Sequence, residues 1–153
     1  PASSWSQVTG QAVNLSDADL QNWRVDQGCR LPALNLTNAN LTRASLQYSG
    51  LENASLRGAN LNKALFSRCD LSHADGYHAN AASADFTGSN LSQSSWQGAN
   101  FREARMRKVN LANADLRGSN LHGLNSEGVH GQAVRLDHAL MTRCRLNEDL
   151  AHG

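Results

Sequence analysis

Six histidines and three cysteines are the residues of this 153-residue chain best equipped for catalysis or metal binding, and their spacing assembles neither. His73, His78, His122, His130, His138 and His152 are scattered, with no H-E-x-x-H pair to share one helical face. Cys29, Cys69 and Cys144 form no C-x-x-C pair, and an odd count fits neither a zinc site nor a disulfide framework. No nucleophile turn accompanies a Ser-His-Asp set, and no glycine-rich loop is built to cradle phosphates. The residues therefore point to no catalytic group, no metal, no cofactor and no small-molecule substrate. What remains is electrostatic. Arg102, Arg105, Arg107 and Lys108 place four cations within seven residues, with only Asp85, Glu103 and Glu127 nearby to neutralise them. Such a patch attracts an acidic protein surface or a phosphate backbone; the alternative is a solvated face that keeps the molecule soluble.

The whole chain is close to neutral, with 14 Lys plus Arg against 13 Asp plus Glu, which excludes a polybasic nucleic-acid binder and an acidic tail. Hydrophobic residues make up 40% and aromatics 5%, the balance having gone to Asn, Ser, Gly and Ala. No apolar run approaches the length of a membrane span or of a signal-peptide core. The three cysteines suit a reducing compartment, so a cytoplasmic location is expected, with a translocated effector domain as the alternative. The first residue is Pro1, which suggests a processed start or a domain cut from a longer protein.

The order of the residues is not that of a linker, because apolar positions recur every five. Of the 18 places from Leu36 to Leu121 in steps of five, 16 carry a large apolar side chain. Two places before each, from Ala39 to Ser119, all 17 positions are Ala, Ser, Cys or a single Val, and the place between is Asn or Asp in 11. A period of five matches neither the helical 3.6 nor the strand period of two. The chain must turn every five residues, with one large and one small side chain pointing inward. The Asn-, Ser- and Gly-rich composition further disfavours helix, since those side chains compete for backbone hydrogen bonds.

Segments such as Ala59-Asn60-Leu61-Asn62-Lys63-Ala64 and Ala114-Asp115-Leu116-Arg117-Gly118-Ser119 resemble the pentapeptide-repeat family over about residues 29–147. The resemblance implies an all-β fold, a right-handed quadrilateral β-helix of about six coils in which residue n lies over n±20. Residues 1–28 are then an N-terminal cap and first coil, and 148–153 a C-terminal tail or linker stub. Members of the family inhibit or protect DNA gyrase, or form non-catalytic parts of bacterial effectors and signalling proteins.

The implied stacking places Gly76 between Leu56 and Trp96, and Ala81 between Leu61 and Phe101, so the largest residue of the series sits beside the smallest. Volume compensation is the expected reading; the competing one is an exposed notch marked by Tyr77 and His78. Cys29 and Cys69 share an inward column two coils apart, beyond disulfide reach. Arg68 joins the face that carries Arg105 and Lys108. The face centred on Leu51, Leu71, Leu91 and Leu111 has no Lys or Arg between 49 and 133, while Arg43, Lys63, Arg102 and Arg143 share another. Five Asn-x-Ser/Thr sequons, headed by Asn14, Asn35, Asn40, Asn53 and Asn90, arise from the repeat itself.

At the amino end the phase runs Leu15, Leu20, Val25 and then steps six to Leu31, a one-residue insertion near Gln27-Gly28. Residues 1–14, with Trp5, Val8 and Val13, are expected to cap the first coil. At the other end the pattern loosens at Ser126 and Gly131, recovers at Leu136, Met141 and Leu146, and stops without an apolar cap. That end is expected to be truncated or covered by a partner, with end-to-end dimerisation or docking through the C-terminal coil as options. The expected function is a non-catalytic protein-interaction module with a protein partner and no membrane, using Arg68, Arg102, Arg105, Arg107 and Lys108. The alternative is a gyrase-directed DNA mimic, against which the balanced charge speaks. Nucleic-acid binding through the basic patch is weaker still, with few aromatics and a net charge of +1.

Overall fold

The computed structural model describes residues 12–25 and 27–152. From Arg30 onward every bridge is parallel and joins residue n to n+20, through Arg30 to Gly50, Asn60 to Asn80 and so on to Asn120 and Leu140. The chain thus winds as a quadrilateral β-helix with five residues to a side. We number the four faces by their central inward residues. The first holds Leu36, Leu56, Gly76, Trp96 and Leu116; the second Leu41, Leu61, Ala81, Phe101 and Leu121. The third holds Leu46, Phe66, Phe86 and Met106, and the fourth Leu51, Leu71, Leu91 and Leu111.

Why five residues suffice follows from where each backbone N–H goes. Around Leu61, Asn60 N–H donates to Ala39 O on the coil before (2.9 Å), and those of Leu61 and Lys63 donate to Asn80 O and Ala82 O on the coil after (2.7 and 3.0 Å). Ala64 N–H closes a tight turn onto Leu61 O (2.9 Å). The fifth, that of Asn62, is taken by the side chain of Asn60 at Oδ1 (3.1 Å). Each turn needs a positive φ at its second central residue, as in a type II turn, and Lys63 adopts it at φ 58°. Most of these corners are not glycine; Arg43, Tyr48, Arg68 and Lys108 also stand in the left-handed region.

Inside, the large central residues and the small ones two places earlier form one continuous buried core from Val25 to Leu146. The gap at Gly76 in the first-face column is filled as volume compensation requires. A side chain on Gly76 would run into the ring of Trp96. Trp96 packs in turn on Phe86 and Phe101, with ring centroids 5.8 and 5.3 Å apart, and its indole N–H donates to Ser94 Oγ (2.9 Å).

Asn14, Asp19 and Arg24 bridge to n+21 rather than n+20, which places the extra residue of the first coil between Arg24 and Arg30. The cap expected from Trp5 and Val8 lies outside the described residues; Val13 and Leu15 pack against the core edge. The far end differs from expectation. Residues 146–152, from 148 onward expected as a C-terminal tail or linker stub, form α1, Leu146–His152, the one helix among the described residues. Leu146 is fully buried and Leu150 packs against the core, while Asp149 accepts a hydrogen bond from Ser126 Oγ (2.5 Å). The polar Ser126 in a core column is thereby explained: it anchors the helix. No helix of the described residues is long and apolar enough to cross a membrane.

Candidate interaction surface

The Asn or Asp before each central residue has a backbone duty, because its side-chain oxygen takes the one N–H that the coils leave over. Asp70, Asp75, Asn80, Asn90, Asn100, Asn110 and Asn120 all do this, at 3.0–3.3 Å. Several also stack into ladders, as Asn100 Nδ2 donates to Asn80 Oδ1 (3.1 Å) and Asn110 Nδ2 to Asn90 Oδ1 (3.2 Å). The third face breaks the rule most often. Its column reads Arg24, Ser45, Leu65, Asp85, Arg105, Asn125, and of these only Asp85 and Asn125 supply the acceptor. Beyond Leu65 and Arg105, the N–H groups of Ser67 and Arg107 have no acceptor among the described residues. Besides Arg105 the column departs from Asn or Asp at Arg24, Ser45 and Leu65, the last 37% exposed.

The basic cluster divides in the structure. Arg102 lies on the second face, 3.4 Å from Glu103, and lines a shallow depression with Asn120, His122 and Leu140. Arg105 leans toward Asp85 (4.0 Å), and Arg107 meets Glu127 (3.1 Å). Exposed pairs of this kind contribute at most about 1 kcal/mol and leave the cations open to an incoming partner. Lys108 has no carboxylate partner among the described residues, and Arg68 lies over the Tyr48 ring at 5.7 Å. Between Arg68 and Lys108, one coil from each, stands Gly88. Its missing side chain opens a groove of about 480 Å³ lined by Arg68, Thr87, Gly88, Arg107 and Lys108. The structure therefore unites Arg68, Arg107 and Lys108, keeps Arg105 on their flank, and puts Arg102 elsewhere. Thr87 and Gly88 belong to the groove, although only n+20 stacking connects them to it.

Tyr77 and His78 sit at the first-face corner. The space inside Gly76 is filled by Trp96, so no opening leads inward from them. Arg57 covers the Tyr77 ring at 4.6 Å and bonds Asp75 (2.7 Å), while His78 meets Tyr77 edge-on at 4.2 Å. The hydrogen bond to Asp75 holds the Arg57 guanidinium above its ordinary pKa. On the same face Asp115 takes Arg117 (2.7 Å) and Arg135 (3.6 Å). The bond from Arg117 keeps that carboxyl below its usual range. Charge on this face is matched, in contrast to the groove at Gly88.

Cys29 and Cys69 are buried and Cys144 half-buried, all three as free thiols. Cys69 Sγ donates to Leu46 O (2.9 Å), and burial pushes its pKa up to about 12, the opposite of a reactive thiolate. A second hollow, of about 580 Å³, lies against α1 between Gly123, Glu127, Arg143, Arg145 and Asp149. Among the described residues no group of three or more His, Cys, Asp or Glu side chains is placed to hold a metal ion.

Comparison with known proteins now places the chain. The family model for pentapeptide repeats matches in eight copies, over residues 27–58, 54–93 and 84–123. No curated protein matches the sequence. Among solved structures, HetL, a pentapeptide-repeat protein involved in heterocyst differentiation regulation in the cyanobacterium Nostoc sp. strain PCC 7120, is 26% identical with a TM-score of 0.54; the match covers 88% of this chain and 70% of HetL. A pentapeptide-repeat protein of the Arabidopsis thaliana thylakoid lumen is 27% identical, also with a TM-score of 0.54, over 56% of this chain and 59% of that one. QnrB1, a plasmid-mediated fluoroquinolone resistance protein, is 19% identical over 88% of this chain and 83% of its own, with a TM-score of 0.41. The chain belongs to the pentapeptide-repeat family, and its fold is the right-handed quadrilateral β-helix.

Proposed function

We propose that this pentapeptide-repeat protein is a non-catalytic interaction module that docks an acidic protein surface against the edge formed by Arg68, Arg105, Arg107 and Lys108. The observation that carries the reading is the groove at Gly88, which three cations line and where two of them have no carboxylate partner among the described residues. A rigid stack holds the backbone of these residues at fixed spacing, so little backbone entropy is lost when a partner arrives. Gyrase-directed DNA mimicry is the alternative function, and it needs rows of acidic charge, since a duplex carries one negative charge per roughly 1.7 Å of axis. Here 13 acids are offset by 14 bases. Direct nucleic-acid binding ranks below both, because the net charge is only +1 and aromatic residues make up only 5% of the chain. Buried free thiols support work in a reducing compartment, the cytoplasm in the first instance. On the last coil Leu140 is 51% exposed and Val134, Leu136 and Met141 are half-buried, which supports a second contact there, end to end with another chain.

The test compares affinity capture by the protein and by its Arg105→Ser/Arg107→Ser/Lys108→Ser variant. None of the three packs in the core, so the variant should keep its stability within about 1 kcal/mol. An acidic partner should be retained by the parent, released by the variant and weakened by salt, mainly through the on-rate. Equal retention by both would refute the reading, and gyrase among the retained proteins would promote the alternative.

A further inference from the structure

The groove around Gly88 has the makings of a site for one discrete oxyanion. Its column runs Tyr48, Arg68, Gly88, Lys108, Gly128 at the corner between the third and fourth faces, and Gly88 is the gap between two cations. A Cβ placed on Gly88 would touch Arg68 Cγ at 3.4 Å, so even a small side chain would start to close the gap. At two coil spacings, Arg68 and Lys108 leave their corners about 9.5 Å apart, near enough for both long side chains to reach one tetrahedral group between them. Arg107 contributes a third cation from the next position along. The backbone adds a donor: with Arg105 in place of the usual Asn or Asp, the Arg107 N–H has no acceptor among the described residues. Thr87, whose hydroxyl makes no hydrogen bond among the described residues, completes the lining. Three cations less the one charge of Glu127, which pairs with Arg107, leave a local excess of two. That matches a phosphate monoester, which carries about −1.5 to −2 near neutrality, better than a singly charged phosphodiester.

We propose that this groove binds a phosphate monoester, presented as a phosphorylated side chain of the docking partner. The monoester oxygens accept from the guanidinium groups of Arg68 and Arg107, the Lys108 ammonium, the Thr87 hydroxyl and the Arg107 N–H, all charge-assisted or directed bonds. The inference rests on this edge being the docking surface, and deepens it by naming what is recognised.

Amide chemical shifts of the full chain, followed during titration with phenyl phosphate at constant ionic strength, test it. Saturable shifts centred on Thr87, Gly88, Arg107 and Lys108 are expected. Arg68→Gln and Lys108→Gln should each weaken binding by about fivefold or more, whereas Arg43→Gln with Lys63→Gln, an equal or larger loss of charge at another corner, should change it less than about twofold. Glu127→Gln should tighten binding by removing the competing acceptor. Dimethyl phosphate, the diester probe, should bind at least about fivefold more weakly than phenyl phosphate. Shifts that never saturate, or equal losses from the Arg43/Lys63 control, would overturn the site. Equal binding of the diester would overturn the monoester assignment and favour a nucleic-acid backbone. Phenyl phosphate binding that survives while the triple variant still captures every partner would sink the docking surface and leave the oxyanion site standing.

Discussion

Trp96 occupies the space that a side chain on Gly76 would need, one coil below it in the same inward column. The two residues are a single packing unit: the column otherwise holds leucines at 36, 56 and 116, and the pair divides the volume of two leucines unequally. Gly76→Ala should therefore destabilise strongly although it adds one carbon, because the fully buried Trp96 has nowhere to retreat. Trp96→Ala should cost about 3–5 kcal/mol. The double change Gly76→Leu/Trp96→Leu restores a column of leucines and should be more stable than Trp96→Leu alone by at least about 1 kcal/mol. Denaturant unfolding of the four variants measures this; a double change no more stable than Trp96→Leu alone would show that the two do not share one space.

Arg105 forgoes the backbone hydrogen bond that Asn and Asp make elsewhere in the stack. Arg105→Asn should let the new side chain accept from the Arg107 N–H, raising stability by about 0.5–1.5 kcal/mol. Hydrogen exchange at Arg107 should slow in the variant. The converse, Asn80→Ala, should cost about 1 kcal/mol or more, since it frees the Ala82 N–H and breaks the bond from Asn100.

Cys69 links stability to alkaline pH. Its thiol titrates near 9.0 when unfolded and at about 12 in the fold, because burial disfavours the thiolate. Between those values the folded state keeps a proton that the unfolded state has lost. The contribution is complete below pH 9.0 and declines by up to about 1.4 kcal/mol per unit as the pH rises toward about 12. Unfolding curves for the protein and for Cys69→Ala, taken from pH 8 to 11, should show a steeper loss in the parent. Parallel curves would mean that the thiol ionises freely.

The period of five made the inward columns legible, and n±20 stacking made the Gly76 and Trp96 pairing legible from the sequence. Two parts were not. Helix α1 has too few residues to show a periodic pattern, and it is held by tertiary contacts, Leu146 in the core and Asp149 on Ser126, that a local reading cannot weigh. The basic site was only half visible, because counting cations along the chain joins Arg102 to Lys108, whereas a solenoid makes neighbours of residues twenty apart. Stacking already brings Arg68 to this face; Gly88 and Thr87 enter the groove by the same route, and Arg102 leaves it by turning a corner.

Photocrosslinking tests most directly whether partners meet this protein at the corner between the third and fourth faces. A photoreactive amino acid placed in turn at Thr87, Arg107, Gln93 and Asn113 samples the groove and, for comparison, the next corner round the coil. In extract from the source cells, Thr87 and Arg107 should each yield the same discrete adduct, lost at high salt and in the Arg68→Gln/Lys108→Gln background, with none from Gln93 or Asn113. Adducts arising from Gln93 and Asn113 alone, or adducts from Thr87 and Arg107 that persist unchanged when Arg68 and Lys108 are neutralised, would contradict the account.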